Sequence, residues 1–323
     1  MTKTKDLPIN HSLRPTSLSE YIGQEKARQT LRIFLEAVKK RGYATEHILL
    51  YGPPGIGKTT LAHIIAYELK GEIKITSGAA IQKGGDLAAI LTNLKDGDIL
   101  FIDEIHRLPK HVEEMLYPVI EDYSLDIIIG KGPSARTVRL PVPKITIVGA
   151  TTKLALLSAP LRDRFGLLMR LEYYTSTEMI HIIQRASSLL GVDLPNELAK
   201  QVADRARNTP RIANRILKRI RDFLQVGNHS KAQSELLDTV FNLLGIDEQG
   251  LTEIDRAYMF VLGEKFQNQP TGVETIASSL SEDVRTVEEF IEPYLLQIGY
   301  LKKTTRGRTL TPRALKHIGI TFV

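Results

Sequence analysis

The sequence predicts an α/β domain built on a parallel sheet, then an all-helical segment, then a set of helices closed by a two-stranded hairpin. Three observations predict it. Apolar strands without polar alternation recur through the first half, and strands of that kind are covered on both faces, as in parallel sheets. A glycine-rich octet, Gly52-Pro53-Pro54-Gly55-Ile56-Gly57-Lys58-Thr59, stands between one such strand and a helix. After about Tyr174 strand character stops and returns only near the C-terminus.

The elements follow in order. Tyr21 to Lys40 has helical periodicity, with Ala27, Leu31, Phe34, Leu35 and Val38 on one face. His47 to Tyr51 reads as a buried strand and Thr59 to Leu69 as a helix. Asp98 to Asp103 and Lys144 to Gly149 are two further apolar strands. Leu125 to Gly130 and Ala135 to Leu140 flank Gly130-Lys131-Gly132-Pro133-Ser134, a hairpin signal. Ile127, Ile128 and Ile129 in succession cannot all face one core, so one side of that hairpin is expected to be exposed and apolar. Thr177 to Gln225 reads as helices broken at Gly191 and Pro210, and Lys231 to Leu244 as another. Thr252 to Phe266, Val273 to Leu280 and Val284 to Ile298 are helices, and Tyr300 to Leu310 holds two short strands around Thr304 to Arg308. Three helices and a hairpin are the layout of a winged helix.

At roughly 100–200 residues per domain, 323 residues hold two or three domains. No apolar run approaches the roughly 18 residues of a membrane span. Met1 to Asp6 leads into no apolar stretch, so no secretory leader is expected and the cytoplasm is the expected location. The absence of cysteine excludes disulfides, thiolate zinc sites, iron–sulfur clusters and a cysteine nucleophile. Net charge is +6, and its distribution says more than its sum. Arg205 to Arg221 carries seven basic residues and no acid, and Gln297 to Val323 six and no acid, whereas Glu248 to Glu292 carries ten acids against three bases. Such polarity is a footprint of nucleic-acid binding, or of solvated helix faces.

The octet matches G-x-x-x-x-G-K-[ST]. Glycines let the backbone wrap a phosphate with several N–H groups turned inward, and the helix that follows adds its positive end. Lys58 is then expected to reach the β- and γ-phosphates, and the Thr59 hydroxyl to bind Mg²⁺. The strand ending in Asp103-Glu104, 45 residues after Lys58, supplies the complementary acids: Asp103 for Mg²⁺ through water, Glu104 to polarise the attacking water. His106 has no second ligand at metal-binding spacing and is expected to play a structural or coupling role.

Further segments add specificity. Leu13-Arg14-Pro15, Tyr21-Ile22-Gly23-Gln24, Gly52-Pro53-Pro54-Gly55, Asp103 to Arg107, Glu121-Asp122-Tyr123, Gly149 to Thr152, Leu161 to Gly166 and Thr209 to Arg215, in this order, resemble the RuvB family of AAA+ ATPases, bacterial motors of Holliday-junction branch migration. The resemblance spans essentially the whole chain, including Arg306-Gly307-Arg308. It implies an α/β P-loop NTPase (AAA+) core over 1–174, a helical lid over 175–245 and a C-terminal winged-helix domain over 246–323. It implies ATP and Mg²⁺ as cofactors, a homo-hexameric ring on Holliday-junction DNA, RuvA and RuvC as partners, and a place in recombination, repair and the SOS response.

By the same resemblance, Leu13, Arg14, Tyr21 and Ile22 cradle adenine, and Gly55, Gly57, Lys58, Thr59 and Thr60 hold the phosphates. Thr151 or Thr152 is sensor 1, and Tyr174 and Arg211 reach the nucleotide from the helical side. Arg164 is the arginine finger acting on a neighbouring subunit, with Glu121, Asp122 and Tyr123 also assigned to nucleotide. Lys303, Arg306 and Arg308 lie on the wing against DNA phosphates, and the hairpin near 127–142 docks RuvA. Relatives tend to carry arginine where Lys303 stands, and lysine gives up bidentate phosphate binding. Arg211, just after Pro210, opposes the dipole of the helix it opens, which favours a functional role.

Local alternatives stand beside these. Arg164 pairs on the surface with Asp163 or Glu172, Thr151 and Thr152 cap a helix, and the apolar hairpin is a covered edge. Two functional rivals also stand. One is a clamp-loader-like or protein-remodelling AAA+ ATPase. The other is a regulator whose winged helix reads a DNA site; the acids Glu288, Glu289 and Glu292 on its third helix argue against groove insertion.

Overall fold

A computed structural model describes residues 13–41, 46–129, 136–227 and 232–320. The expectations for Met1 to Asp6, for the turn Gly130 to Ser134 with Ala135, and for Lys231 fall outside them. By compactness the chain divides in two: the part up to Leu189 together with Thr209–Arg211, and Leu190–Asn208 together with Ile212 onward.

The first unit opens with α1 (Glu25–Arg41), which buries Ala27, Leu31, Leu35 and Val38, the face the periodicity predicts. Glu25 in its first turn and Lys39, Lys40 and Arg41 in its last complement the helix dipole. Then come β1 (Ile48–Tyr51), α2 (Lys58–Leu69), β2 (Ile73–Ser77), α3 (Gly84–Leu91), β3 (Ile99–Asp103), α4 (Lys110–Asp122), β4 (Ser124–Ile129), β5 (Arg136–Pro141), β6 (Thr146–Thr151), α5 (Ala159–Asp163), β7 (Leu167–Arg170) and α6 (Ser176–Leu189). Five strands form one parallel sheet in the order β2-β3-β6-β1-β7. The three central strands are the three apolar runs of the sequence. The two that the sequence did not signal, β2 and β7, are the sheet's edges. Both are only partly buried, so Ile-Lys-Ile-Thr-Ser mixes apolar and polar residues, and the apolar part of Leu-Leu-Met-Arg is only three residues long. β6 runs two residues later than its apolar pattern suggests, which makes Thr151 its last residue, and every residue in it is buried.

The β4–β5 hairpin is separate and antiparallel, with Ile127 opposite Val138 and Asp126 opposite Arg139. Leu125 is buried and Ile127 packs against the core of this unit, whereas Val138 is exposed. Arg139 donates twice to Asp126, at 2.9 and 3.1 Å, and fixes the register. The hairpin thus combines a covered side with an exposed one.

His47, just before β1, gives the core a titratable strut. Its Nδ1 accepts from the Ile147 N–H at 2.9 Å, so its proton sits on Nε2, which faces the Ile120 carbonyl at 3.2 Å. Burial pushes its pKa from 6.5 down to about 4. The folded value lies below the unfolded one, so the contribution is complete above pH 6.5 and is lost as pH falls toward 4, amounting to about 3 kcal/mol. Urea midpoints between pH 7.5 and 4 are expected to fall more steeply for the parent chain than for His47→Gln. Parallel slopes would refute the assignment.

The second unit holds α7 (Asn196–Arg205), most of α8 (Pro210–Val226), α9 (Ser234–Leu243), α10 (Glu253–Phe260), α11 (Val273–Leu280), α12 (Val284–Thr286), α13 (Glu292–Gln297), β8 (Leu301–Thr304), β9 (Gly307–Leu310) and α14 (Pro312–His317). Tyr258, Leu262, Ile276, Val287, Ile291, Leu295, Leu301 and Leu310 form the core beneath the β8–β9 hairpin, which completes the winged helix. The helix expected over Val284 to Ile298 is not uniform: a π turn, Val287–Ile291, separates α12 from α13. Pro293 has no N–H for the regular i→i−4 bond, so the ladder is interrupted there. Gly307 at φ +139 is obligatory, because a Cβ would fall 2.6 Å from the backbone of Thr271, which bridges to Arg308.

Candidate active site

The loop from Gly52 to Gly57 joins the end of β1 to α2. Gly52, Gly55 and Gly57 all take positive φ, and a Cβ on Gly52 would lie 2.2 Å from the Leu171 carbonyl. The turn is therefore closed to any residue with a side chain. Gly57 is the residue before α2, so Lys58, Thr59 and Thr60 form its first turn, where free N–H groups and the positive dipole end meet an anion. Lys58 Nζ donates to the Gly52 and Pro53 carbonyls at 2.9 and 2.8 Å, folded over the loop.

The order β3-β6-β1 brings the ends of three adjacent strands together, where open parallel sheets hold their ligands. Asp103 ends β3, and Glu104 follows it in left-handed backbone at φ +46. Such a conformation is costly for a non-glycine residue. Glu104 Oε2 accepts from the Thr152 hydroxyl at 3.1 Å and lies 3.2 Å from His106 Nδ1. His106 Nδ1 is also 2.8 Å from the hydroxyl of fully buried Thr151. For His106, of which a structural or coupling role is expected, one ring nitrogen touches both the acid and the threonine of the neighbouring strand. Thr151 Oγ1 also accepts from Lys153 N at 3.0 Å, so this threonine turns the chain as well as facing the site.

Tyr21 and Tyr174 are both buried, their hydroxyls 3.2 Å apart. Tyr174 donates to the Ile56 carbonyl at 3.1 Å, and a Cβ on Gly57 would lie 3.1 Å from the Tyr21 hydroxyl. The pair braces the backbone of the loop. Burial, then the neighbouring phenol of Tyr174, holds Tyr21 well above the usual phenol range, and burial pushes Tyr174 up to about 12, so both stay neutral. Leu13 is buried, its carbonyl accepting from Arg185 at 3.0 Å, and Ile22 is half-buried beside Tyr21.

Arg211 opens α8 beside the loop, its N–H 3.4 Å from the Gly55 carbonyl. Burial and the like charge of Arg211 lower the pKa of Arg14. Burial lowers that of Lys58 too, with Arg211 adding to the effect and Glu104 and Asp103 opposing it. Three cations gathered at one glycine loop repel one another and suit a polyphosphate. The donor set fits a magnesium nucleotide: loop N–H groups and cations for the phosphates, with the Thr59 hydroxyl and Asp103 carboxylate as hard oxygen ligands.

Arg164, Glu121, Asp122 and Tyr123 lie elsewhere. Arg164 Nε is 3.0 Å from Glu121 Oε1, NH1 donates to the Pro160 carbonyl at 2.7 Å, and the guanidinium covers the Tyr117 ring at 4.4 Å. Its surface partner is thus Glu121, not Asp163 or Glu172. Asp122 is exposed, and Tyr123 ends α4 with its ring 6.0 Å from His47. On the wing, Arg306 is exposed and its guanidinium has no ion-pair partner among the described residues. Lys303 Nζ lies 2.6 Å from Glu292 Oε2, and Arg308 donates to Glu292 at 2.9 Å and to Glu288 at 2.8 Å. Glu292 is fully buried. Glu288 and Glu292 of the third helix are therefore internal counter-ions of the wing. Sequence reading missed this role of Glu292, and its i,i+4 spacing from Glu288 was the available signal.

A phosphate loop, an acid pair on a strand two places away and a threonine-bearing strand between them, followed by a helical segment, define a P-loop ATPase of the AAA+ class. Family models agree along the chain: the Holliday junction DNA helicase RuvB P-loop domain matches residues 13–171, the RuvB AAA lid domain 174–247 and the RuvB C-terminal winged helix domain 248–319. The chain belongs to the RuvB family. A solved structure of Thermotoga maritima RuvB, described as the Holliday junction branch migration motor, is 46% identical over 97% of this chain and 100% of that one, with a TM-score of 0.85. An alanine-to-serine variant of the same protein is 46% identical over 96% and 99%, with a TM-score of 0.87. Among the described residues no helix is long and apolar enough to cross a membrane.

Proposed function

We propose that this chain is the ATP-driven motor of Holliday-junction branch migration, working in the cytoplasm as a hexameric ring with RuvA, alongside RuvC in resolution. The observation that carries the reading is the meeting of Lys58, Asp103-Glu104 and Thr151-Thr152 at one glycine loop in a chain matched by RuvB models in all three parts.

In this mechanism the loop N–H groups, Lys58, Arg14 and Arg211 bind and orient the triphosphate. Glu104, held by Thr152 and His106, accepts the proton of the water that attacks the γ-phosphate in line. Thr59, directly, and Asp103, through water, would hold Mg²⁺, which supplies Lewis-acid stabilisation of the phosphate oxygens. Arg164 acts on the site of the neighbouring subunit, where it stabilises charge on the transferred phosphoryl group. Its own partners, Glu121 and Tyr117, support a role outside its own loop. Arg306 on the wing meets the DNA backbone, as suits a motor indifferent to sequence. The exposed side of the β4–β5 hairpin, where Val138 lies, is the candidate seat for RuvA.

The test is ATP hydrolysis alone, with duplex DNA, and with a four-way junction plus RuvA, scored beside junction dissociation. Hydrolysis is expected to rise with DNA. Lys58→Ala and Arg164→Ala are each expected to abolish dissociation, and mixing the two inactive variants is expected to restore part of the hydrolysis, because some interfaces then combine an intact loop with an intact arginine. Hydrolysis indifferent to DNA with no junction movement would sink the reading in favour of a protein-remodelling ATPase.

A further inference from the structure

Arg207 stands in the turn between α7 and α8, in left-handed backbone at φ +51. Its guanidinium donates to Asp255, its Nε donates to the Gly250 carbonyl at 2.8 Å, and its plane covers the Tyr294 ring at 4.4 Å. Asp255 is fully buried and closes the capping box of α10, accepting from the Thr252 N–H at 2.7 Å and hydroxyl at 2.5 Å. A helix cap needs only an acceptor near solvent. A buried carboxylate is costly, and Arg207 is the cation that makes its burial tenable.

The helices that hold Arg207 also hold the wing. Tyr258, three residues after Asp255 on α10, donates to Glu292 at 3.0 Å. Glu292, two residues before Tyr294 on α13, receives Arg308 and Lys303. Each helix thus carries one partner of the lid's arginine and one member of the cluster that anchors the wing. Four residues after Arg207 comes Arg211, whose backbone meets the Gly55 carbonyl of the phosphate loop.

We propose that Arg207 is the coupling residue between the nucleotide site and the DNA-facing wing. The Arg207–Asp255–Tyr294 cluster and the Tyr258–Glu292–Arg308 cluster, joined through α10 and α13, form one polar spine. Where hydrolysis moves the chain at Arg207, the spine carries that movement to the wing. Directional hydrogen bonds and a planar guanidinium resist the sliding that apolar contacts allow. Arg207 touches neither nucleotide nor DNA in this scheme; it is a positioning residue, and the proposal rests on the motor reading above.

The test compares the parent chain with Arg207→Ala and Arg207→Lys. DNA-stimulated hydrolysis and duplex affinity of Arg207→Ala are expected to stay within about twofold of the parent, while base pairs migrated per ATP fall about fivefold or more. Arg207→Lys keeps the charge and is expected to recover part of that loss. The chain has no cysteines, so Lys200→Cys with Thr305→Cys places spin labels on lid and wing with no competing thiol. A narrow distance distribution is expected for the parent and a broad one for Arg207→Ala. An unchanged distribution, or an unchanged yield of base pairs per ATP, overturns the proposal. Should Arg207→Ala fail to fold, Arg207→Met with Asp255→Asn removes the pair without stranding a charge and is held to the same two readings. Should the parent itself move no junction, the motor reading fails, and the distance measurement alone decides whether the spine is rigid.

Discussion

Glu104→Gln is expected to cut ATP turnover about a hundredfold or more while nucleotide affinity changes by no more than about threefold. The glutamine keeps the size of the side chain and an oxygen that can accept from the Thr152 hydroxyl, so the local hydrogen bonds survive. What it loses is the basicity that takes the proton of the attacking water. Thr152→Val removes a donor from the carboxylate but leaves the base, and is expected to cost about tenfold, since a misdirected base still works part of the time. Phosphate release at saturating ATP, read beside calorimetric nucleotide binding, separates the two effects. Turnover above half the parent value in Glu104→Gln would remove Glu104 from the role of base.

The second large effect lies in the winged helix. Arg308→Ala is expected to destabilise the second unit by about 3–5 kcal/mol, because it leaves the fully buried Glu292 short of a hydrogen-bonded cation. Arg306→Ala, two residues away on an exposed turn, is expected to leave stability within about 0.5 kcal/mol of the parent. It should weaken duplex binding and lower the salt dependence by about one counterion. Urea unfolding of the full chain, with hydrogen exchange followed at α13 and β9, reads the first effect; duplex titrations at several salt concentrations read the second. If Arg308→Ala unfolds like the parent but loses DNA affinity, Arg308 is a phosphate contact and the division of labour on the wing is reversed. Lysine at 303 is consistent with the internal role, since one ammonium 2.6 Å from Glu292 has no need of arginine's fork.

Much of the nucleotide site was legible because it is local. A phosphate loop is a continuous octet, and its glycines, lysine and threonine are dictated by backbone geometry over a few residues. The acid pair ends an apolar run, and a buried strand announces itself in one dimension. The central strands β1, β3 and β6 were readable for that reason, and the edge strands β2 and β7 were not. Val273–Leu280 is legible to the residue, whereas the helix after it reads as continuous, because nothing in the sequence before Pro293 announces the π turn.

The sequence by itself determined the fold class, the phosphate loop with its acids, the helical middle and the terminal hairpin, since each is set by periodicity or by a contiguous motif. Only the tertiary structure decided which charges act outward and which inward. Lys303 and Arg308 read as phosphate ligands, yet both are tied to a carboxylate with no solvent exposure. Arg207 read as one more basic residue in a solvated run, yet it neutralises a buried Asp255. His106 stands two residues from Glu104 in sequence, but its tie to Thr151 required β6 to lie next to β3. The reason is physical: a charge costs little at the surface and much in the core, and sequence composition does not record burial.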